Sequence, residues 1–594
     1  MLAWAVEILP ALLLAGVFAA LGASQRSDVA RHVCFLSSLS MLLFLIAPTA
    51  IGLMSTQESL RVLSARDMWD RGDWLTPTIH GQPYLDKPPL LNWLQLLAGA
   101  MLGTGPTDFT GRLIAGLAAW AGVLATYFAG TELLRDGPQA RRWAFWGALM
   151  LATGLLFVRS SRAVVIDNLL PPLTIGAIGF MHCAWRQSDA GKSSAWLPML
   201  AAATCALAAM LAKGPPGAMV VFLAAVFAPF VLAGGTSPRT GVRSAAGVAA
   251  AMIAVLGTFL HPQDQWAAVA PSAIIGFGVG WVLAGPFWRG GPAMVLRGWR
   301  GTQPLVLIAI GFGGLALWMY LASRAVDMPL FRAAEEQASE NLTAFRPGSI
   351  AETFTALLYG AGLGSIGAIA TLGWIAWRRE PLSRGLALIF AALFLGAAAY
   401  AFIGRGSPRY LTPLWPVLAV LAAWGLRRRI LALGPCGPRH LAGVGVTLTI
   451  LAIVEIVWYG GMRSRVADKL SPRTLVRALL ADPEVADLSM AMLDVWMPAV
   501  DIYAQRHVMV VTEHMRPMDY PAEPQNSESL FVRLQREGRM IVFGCERHTR
   551  NRPRAIAPKF LEAHGFRVTR LAVGHSFYVQ DGDVPIVAWL VEAP

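Results

Sequence analysis

Three basic residues stand in short polar stretches between long apolar runs, where they are placed to bind an anion. They are Lys87, Lys213 and Arg409, and Tyr410 follows the last of them. Arginine binds phosphate through paired hydrogen bonds, whereas lysine acts as a point charge. Such cations also stabilise charge on a phosphate leaving group. We therefore predict that these four residues bind a phosphate, the alternative for Lys213 being a helix-end lysine that reaches toward water.

Carboxylates occur in the same kind of stretch. Glu58 and Asp86 lie at predicted membrane margins, and two prolines that closely follow Asp86 would hold the chain rigidly there. Asp167 lies between two apolar runs, near Arg159 and Arg162, and an ion pair with one of these arginines is its alternative role. Carboxylates that converge over one cavity could supply a general base and a metal ligand. Glu58 and Asp167 are therefore the candidate catalytic residues.

The composition places the chain in a membrane. Of its 594 residues 55% are hydrophobic and 14% are charged, whereas a soluble protein carries roughly 25% charged residues. Most of the net charge of +13 lies in short loops, which indicates a topology signal rather than a nucleic-acid partner. The five cysteines form no CxxC pair and no Cys/His cluster, so we expect neither a disulfide framework nor a structural zinc site.

Apolar segments long enough to cross a bilayer recur along the chain and predict an all-α bundle of thirteen or fourteen transmembrane helices. The region 244–287 is the weakest of them. The segments are 2–22, 34–54, 109–133, 142–158, 169–185, 196–212, 215–234, 244–260, 271–287, 303–323, 353–376, 384–403, 411–426 and 440–460.

Basic residues concentrate in seven alternate loops, which the positive-inside rule assigns to the cytoplasm. The long loops 55–108 and 324–352, and everything after about residue 461, then face outward. Loop 55–108 mixes tryptophans and leucines with charges, which is typical of amphipathic helices at the membrane interface. We predict three units: an additional N-terminal helix with its loop at 1–33, a membrane domain at 34–460, and an extracytoplasmic domain at 461–594.

Residues 461–594 are richer in charge, and their apolar runs shorten to strand length. Five strands are predicted, in "MAMLDVW", "VMVVTE", "RMIVFG", "RVTRLAVG" and "SFYVQ", with helices at 473–482 and 555–565 between them. This alternation predicts a small α/β domain. His507, His514 and His548 are scattered through it and are interpreted as surface or internally satisfied histidines.

The polar motifs resemble a known family in their order and spacing. "SARDMWDRGDWLTPTIHGQPYLDKPPLLNWL" contains a Gly-Asp-Trp and an acid-Lys-Pro-Pro motif, and Asp167, Lys213-Gly214 and Ser407-Pro408-Arg409-Tyr410 follow. Over roughly residues 34–460 the chain is similar to the protein-mannosyltransferase-like superfamily of membrane glycosyltransferases, which includes the aminoarabinose transferases that modify lipid A. These have the GT-C fold, in which a cavity opens outward above the helical bundle.

The resemblance implies an inverting transfer of a sugar from a polyprenyl-phosphate donor to a lipid, glycan or protein acceptor. It implies a bacterial inner membrane, with the active site and the C-terminal domain facing the periplasm. A divalent metal ion near the acid of the acid-Lys-Pro-Pro motif, here Asp86, is also implied. No nucleotide cofactor and no nucleic acid is expected, because the donor sugar is carried by a lipid.

The sequence departs from the family at one residue. The family pattern begins with an Asp-Glu pair, whereas this chain has Gln57-Glu58, and glutamine cannot accept a proton. Either Glu58 or Asp167 serves as the base, or the chain is a non-catalytic relative in envelope assembly. A lipid transporter or flippase is a further alternative, although such a protein would carry ionisable residues in the middle of the membrane.

Overall fold

The computed structural model describes residues 2–234, except residue 51, and then 291–327, 362–375, 382–403, 408–459, 471–512, 525–545, 556–571, 577–578 and 585–594, with a few single positions between them. The spans predicted at 244–260 and 271–287, most of loop 324–352, and His514 and His548 lie outside the described residues.

Long helices dominate the first three quarters of the chain. Those before the gap are α1 Leu2–Ser24, α2 Asp28–Phe44, α3 Thr56–Arg71, α4 Leu90–Leu102, α5 Asp108–Leu133, α6 Ala140–Ala152, α7 Leu155–Ser161, α8 Leu170–Asp189, α9 Trp196–Lys213 and α10 Pro215–Gly234. Those after it are α11 Gly291–Thr302, α12 Pro304–Ala325, α13 Leu363–Ile375, α14 Arg384–Phe390, α15 Gly396–Ile403, α16 Trp415–Ala432 and α17 Gly437–Val457. A single π turn, Ala391–Leu395, joins α14 to α15.

Within the described residues, six helices are long and apolar enough to cross a membrane, or seven if α6 and α7 form one broken span. Those two helices are bent by 65° where they meet, so the span predicted at 142–158 is not straight. The span predicted at 34–54 corresponds to α2, which already ends at Phe44. Pro48 explains this early end, because a proline disfavours the helical conformation of the residue before it, and Ala47 has a φ of 46°.

Loop 55–108 contains helices, as predicted; there are two of them, with a small hairpin between them that was not predicted. Helix α3 begins after Ser55, whose side chain accepts a hydrogen bond from the Glu58 amide, and it ends at Gly72 with a φ of 66°. Strands β1 Thr78–Ile79 and β2 Gln82–Pro83 form the hairpin, and α4 follows the two prolines.

The C-terminal region is an α/β domain, as predicted. Its helices are α18 Arg473–Ala481, α19 Pro498–Ala504, α20 Ser527–Glu537 and α21 Ala557–Ala563. Its strands are β3 Met490–Leu493, β4 Met509–Val511, β5 Arg539–Cys545, β6 Arg567–Arg570, β7 Phe577–Tyr578 and β8 Pro585–Glu592. The strand order is β4-β3-β5-β8-β6, with β7 pairing to β8. Strands β3, β4 and β5 are parallel, whereas β8 runs antiparallel to β5 and β6.

Both faces of this sheet are covered by apolar side chains. One face packs with α18 and α19 and continues into the rest of the protein through Leu53, Val62 and Val164. The other face packs with α20 and α21. Because Val62 belongs to α3, the C-terminal domain rests directly on the first helix of loop 55–108. The all-α membrane bundle with a small C-terminal α/β domain is thus confirmed, and α3 connects its two parts.

Candidate active site

A polar cleft of about 670 Å³, including its open mouth, collects side chains from five separate parts of the chain. It is lined by Gln57, Arg61, Lys87, Val165, Ile166, Asp167, Lys213, Arg409 and Tyr410. Four of these side chains are basic, and one is a carboxylate. The structure therefore brings together Lys87, Lys213, Arg409, Tyr410 and Asp167, which lie far apart in the sequence.

Helix α3 supplies Gln57 and Arg61, which stand one helical turn apart on the same face. Nη2 of Arg61 lies 3.3 Å from Oε1 of Gln57, and Nη1 lies 3.3 Å from the hydroxyl of Tyr84. The Arg61 side chain is 5% exposed, so its orientation is fixed by these bonds. Arg61 was not among the predicted site residues, although its spacing from Gln57 is the signal that points to it.

The segment between the hairpin and α4 supplies Lys87. Its ammonium group donates to Oδ2 of Asp86 at 3.2 Å, and the hydroxyl of Tyr84 donates to the same oxygen at 3.2 Å. Arg61 is bonded to that hydroxyl as well, so one network runs from α3 to Lys87. Pro88 and Pro89 follow Lys87 and lead directly into α4.

Asp167 pairs with Lys213 rather than with Arg159 or Arg162. Its carboxylate forms an ion pair with the Lys213 ammonium group, and both residues are buried except where they meet the cleft. Lys213 is the last residue of α9, and Gly214, with a φ of 69°, ends the helix there. Arg162 instead donates to backbone carbonyl groups at the end of α2 and just beyond it.

Two cations of the cleft lie over the aromatic ring of Tyr410. The Lys213 nitrogen stands 3.9 Å from the centre of the Tyr410 ring, and the guanidinium carbon of Arg409 stands 5.5 Å from it. Cations at these distances are attracted by the negative face of the ring. Thr412 donates to the backbone carbonyl of Asp167 at 3.1 Å, which ties this segment to the carboxylate.

Glu58 does not reach the cleft. Its carboxylate accepts hydrogen bonds from the amides of Met54 and Val164, both at 3.2 Å, and pairs with Arg112 at 3.3 Å. Glu58 is 3% exposed. These contacts fasten the first turn of α3 to the neighbouring chain, and they leave the carboxylate behind the wall of the cleft.

The described contacts of Asp86 do not by themselves make a metal site. Among the described residues, it contacts Lys87, which is itself a cation, and the hydroxyl of Tyr84. Within the described ranges, the one group of three or more histidine, cysteine or acidic side chains close enough to share an ion is His80, Asp501 and His507. Metal binding at Asp86 stays a prediction, and no chemical step below depends on it.

Comparison with solved structures identifies the fold. ArnT from Cupriavidus metallidurans, in its structure bound to undecaprenyl phosphate, matches with a TM-score of 0.62 and 15% identity over 95% of this chain and 98% of that one. The archaeal oligosaccharyltransferase AglB from Archaeoglobus fulgidus, in complex with an inhibitory peptide and a dolichol-phosphate, matches with a TM-score of 0.46 and 15% identity over 87% and 69% of the two chains. The ArnT match shows an ArnT-like GT-C fold.

Sequence comparison adds little to this. No family model matches the chain. An uncharacterized protein from Aquifex aeolicus is 30% identical over 98 residues, which span 16% of this chain and 23% of that relative. The chain is thus matched to less than a quarter of that relative, and the fold is what the comparisons establish.

Proposed function

We propose that this chain, a multi-pass membrane protein with an ArnT-like GT-C fold, is a glycosyltransferase that takes its sugar from a polyprenyl-phosphate donor. The observation that carries the proposal is the cleft in which Lys87, Lys213 and Arg409 stand around the carboxylate of Asp167. The solved ArnT structure was bound to undecaprenyl phosphate, which is a ligand of the same class. The acceptor would be a lipid, glycan or protein on the periplasmic side of a bacterial inner membrane.

The basic side chains would hold the donor phosphate. Lys213 and Arg409 lie over the Tyr410 ring, and Lys87 and Arg61 line the same cleft. Four cations exceed the one lining carboxylate, so the cleft is electropositive and suits a phosphodiester. In a partly enclosed cleft these charges act more strongly than they would in water.

Transfer would proceed by a single displacement with inversion. The acceptor oxygen forms a bond to the anomeric carbon while the bond from that carbon to the phosphate oxygen breaks. The proton of the acceptor goes to the Asp167 carboxylate, and the electron pair of the broken bond stays on the departing polyprenyl phosphate. Charge grows on that phosphate during the step, so the surrounding cations stabilise the transition state more than the bound donor.

Glu58 receives a different role from the one predicted. Because its carboxylate is bonded to two amides and to Arg112, we assign it to holding α3, and thereby Gln57 and Arg61, at the wall of the cleft. Asp167 then remains as the base.

The test separates donor binding from transfer. Full-length protein in lipid nanodiscs is titrated with undecaprenyl phosphate, and envelope lipids and glycans are compared by mass spectrometry between a deletion strain and strains that carry each variant. We expect Lys87→Ala and Arg409→Ala to weaken undecaprenyl phosphate binding at least about tenfold, since each removes a charged hydrogen bond. Asp167→Asn should keep the binding and lower product formation about 10²- to 10⁴-fold.

Arg66→Ala is the matched control, because Arg66 lies on α3 but pairs with Asp70 away from the cleft. It should leave both readouts unchanged. Undecaprenyl phosphate binding that survives the loss of Lys87 and of Arg409 would refute the site.

A second candidate function is favoured by Gln57. This residue replaces the aspartate of the family pattern, and the structure places it in the lining of the cleft. A non-catalytic protein that binds polyprenyl phosphate would show the same effects of Lys87→Ala and Arg409→Ala on binding. It would yield no glycosylated product that is lost in the deletion strain and restored by the wild-type gene.

A further inference from the structure

A second polar cavity lies on the other half of α3, where the C-terminal domain meets the hairpin of loop 55–108. It encloses about 810 Å³, including its mouth, and His80, Asp501 and His507 line it together. These three residues are called the His–Asp cluster below. His80 belongs to the turn of the hairpin, Asp501 to α19, and His507 to the segment before β4. The cluster therefore joins two parts of the chain that are 421 residues apart.

The donor atoms of the cluster converge on one point. Nε2 of His80 lies 3.1 Å and Nδ1 of His507 lies 3.7 Å from Oδ1 of Asp501. All three ligand atoms lie within 4.8 Å of one another. A zinc ion with bonds of about 2.0–2.1 Å in tetrahedral geometry holds its donor atoms about 3.3 Å apart. The two separations measured to Oδ1 lie on either side of that value, and the two imidazole nitrogens lie within 4.8 Å of each other.

Asp501 offers such an ion either its Oδ1, which both imidazoles contact, or its second oxygen, Oδ2. The residue is 4% exposed, and its Oδ2 has no hydrogen-bond partner among the described residues, whereas Oδ1 accepts from the Val508 amide at 2.9 Å. A buried carboxylate oxygen without a partner carries a substantial desolvation cost. A cation bound between the two imidazoles would remove that cost.

The charges of the cluster also favour a cation. Asp501 is an acidic side chain that both imidazoles contact, and it is 3% exposed. A carboxylate in so buried a position favours a bound cation beside it.

The basic side chains around the cavity do not oppose cation binding, because each already forms an ion pair or a hydrogen bond. Arg66 pairs with Asp70, and Arg71 pairs with Asp73. Arg506 donates to the backbone carbonyl group of Leu488.

We infer that His80, Asp501 and His507 form a zinc-binding site that cross-links the hairpin of loop 55–108 to the C-terminal domain. Two imidazole nitrogens and one carboxylate oxygen suit zinc, whereas magnesium and calcium prefer oxygen ligands. The adjoining cavity would admit water as a fourth ligand. The site is separate from the phosphate cleft, because the two cavities share no lining residue.

The test uses full-length protein in detergent, treated with EDTA and dialysed, and then titrated with zinc chloride alone. We expect one zinc ion per chain by elemental mass spectrometry and a higher unfolding temperature with zinc. Magnesium chloride at the same concentration should give no such rise. His507→Ala should weaken zinc binding at least about 100-fold and abolish the rise. His507 is 63% exposed at its side chain, so this substitution leaves the fold intact.

His80→Ala provides the second ligand variant, and His564→Ala is the control, because His564 is an exposed histidine of the same domain outside the cluster. The control should bind zinc like the wild type. Less than one zinc ion per wild-type chain, or equal zinc affinity in the wild type and in both ligand variants, would show that the cluster is held by hydrogen bonds alone. This result does not depend on whether the protein transfers a sugar.

Discussion

The ion pair between Asp167 and Lys213 decides what the cleft can do, because it sets a carboxylate and an ammonium group side by side at the end of α9. Removing one partner of a buried pair leaves an uncompensated charge, which costs about 3–5 kcal/mol. We therefore expect Lys213→Met to lower the free energy of unfolding by about that amount. Thermal or denaturant unfolding in detergent measures it.

The double variant Lys213→Met, Asp167→Asn is the control for this prediction. Because it removes both charges, its unfolding free energy should lie above the value obtained by adding the two single effects. Strict additivity of the two single variants would mean that the pair contributes no coupling energy.

Glu58 offers a second test at the level of one residue. Glu58→Gln keeps the shape of the side chain but removes the charge that Arg112 faces in a buried setting. We expect a loss of about 2–4 kcal/mol in unfolding free energy, since a buried arginine loses its counter-charge. Transfer per folded molecule should stay within a few-fold of the wild type. A normal unfolding temperature together with lost transfer would instead restore the predicted role as the base.

Sequence reasoning found the residues of the cleft more reliably than their partners. Lys87, Lys213 and Arg409 stand out because a charge between apolar runs has few structural explanations. The partner of Asp167 could not be read from proximity, since the nearby Arg162 is used by backbone carbonyl groups. The His–Asp cluster was missed altogether, because His507 meets His80 only after the C-terminal domain has folded onto the hairpin.

Among the elements, the contact of α9 with α10 positions Lys213. A Cβ atom on Gly217 would lie 2.1 Å from the backbone oxygen of Ala209, one turn before Lys213. Gly217→Ala must therefore push the two helices apart, at a cost of about 1–3 kcal/mol. We expect a lower unfolding temperature and weaker undecaprenyl phosphate binding.

Gly313→Ala is the matched control, because Gly313 lies within α12 and its added Cβ atom would meet nothing within 4 Å. The unfolding temperature of this variant should be unchanged or slightly raised, because alanine favours a helix over glycine by up to about 1 kcal/mol. Equal effects of the two substitutions would mean that the close approach of α9 and α10 does not matter.

Element boundaries differ from the predictions where local chemistry overrides periodicity. All five predicted strands of the C-terminal domain were found, but a sixth strand, β8, was not predicted. It lies between β5 and β6, and its residues from Ile586 to Ala588 are all buried. A strand buried on both faces has no alternation that would reveal it. The helices predicted in loop 55–108 were found. A capping serine precedes α3, and two prolines precede α4.

At the scale of the whole molecule, the C-terminal domain and the cleft contact different sides of α3. Gln57 and Arg61 line the cleft, whereas Val62 packs into the core of the domain. Arg473 of the domain also donates to the backbone carbonyl groups of Thr49 and Ala50. The domain therefore holds in place the segment that leads into α3, and we expect a loosening of this contact to change the cleft.

This dependence can be tested by removing the hydroxyl group of Tyr503. Its hydroxyl accepts a hydrogen bond from the Leu53 amide at 2.7 Å and lies 3.4 Å from Asp108. Burial raises the pKa of Tyr503, so the phenol is protonated at neutral pH. Tyr503→Phe leaves the buried Leu53 amide without its partner, which costs about 1–3 kcal/mol. We expect faster hydrogen exchange at Leu53 and through α3, together with weaker undecaprenyl phosphate binding.

Tyr320→Phe removes the same atom from a tyrosine that is 49% exposed on α12, and it should change neither readout. Faster exchange in α3 without any change in binding would limit the domain to a stabilising role. Weaker binding together with faster exchange in Tyr503→Phe, with neither change in Tyr320→Phe, would show that docking of the C-terminal domain sets the geometry of the phosphate cleft. The reason is that α3 is the one described helix with residues in both the cleft and the apolar core beneath the domain.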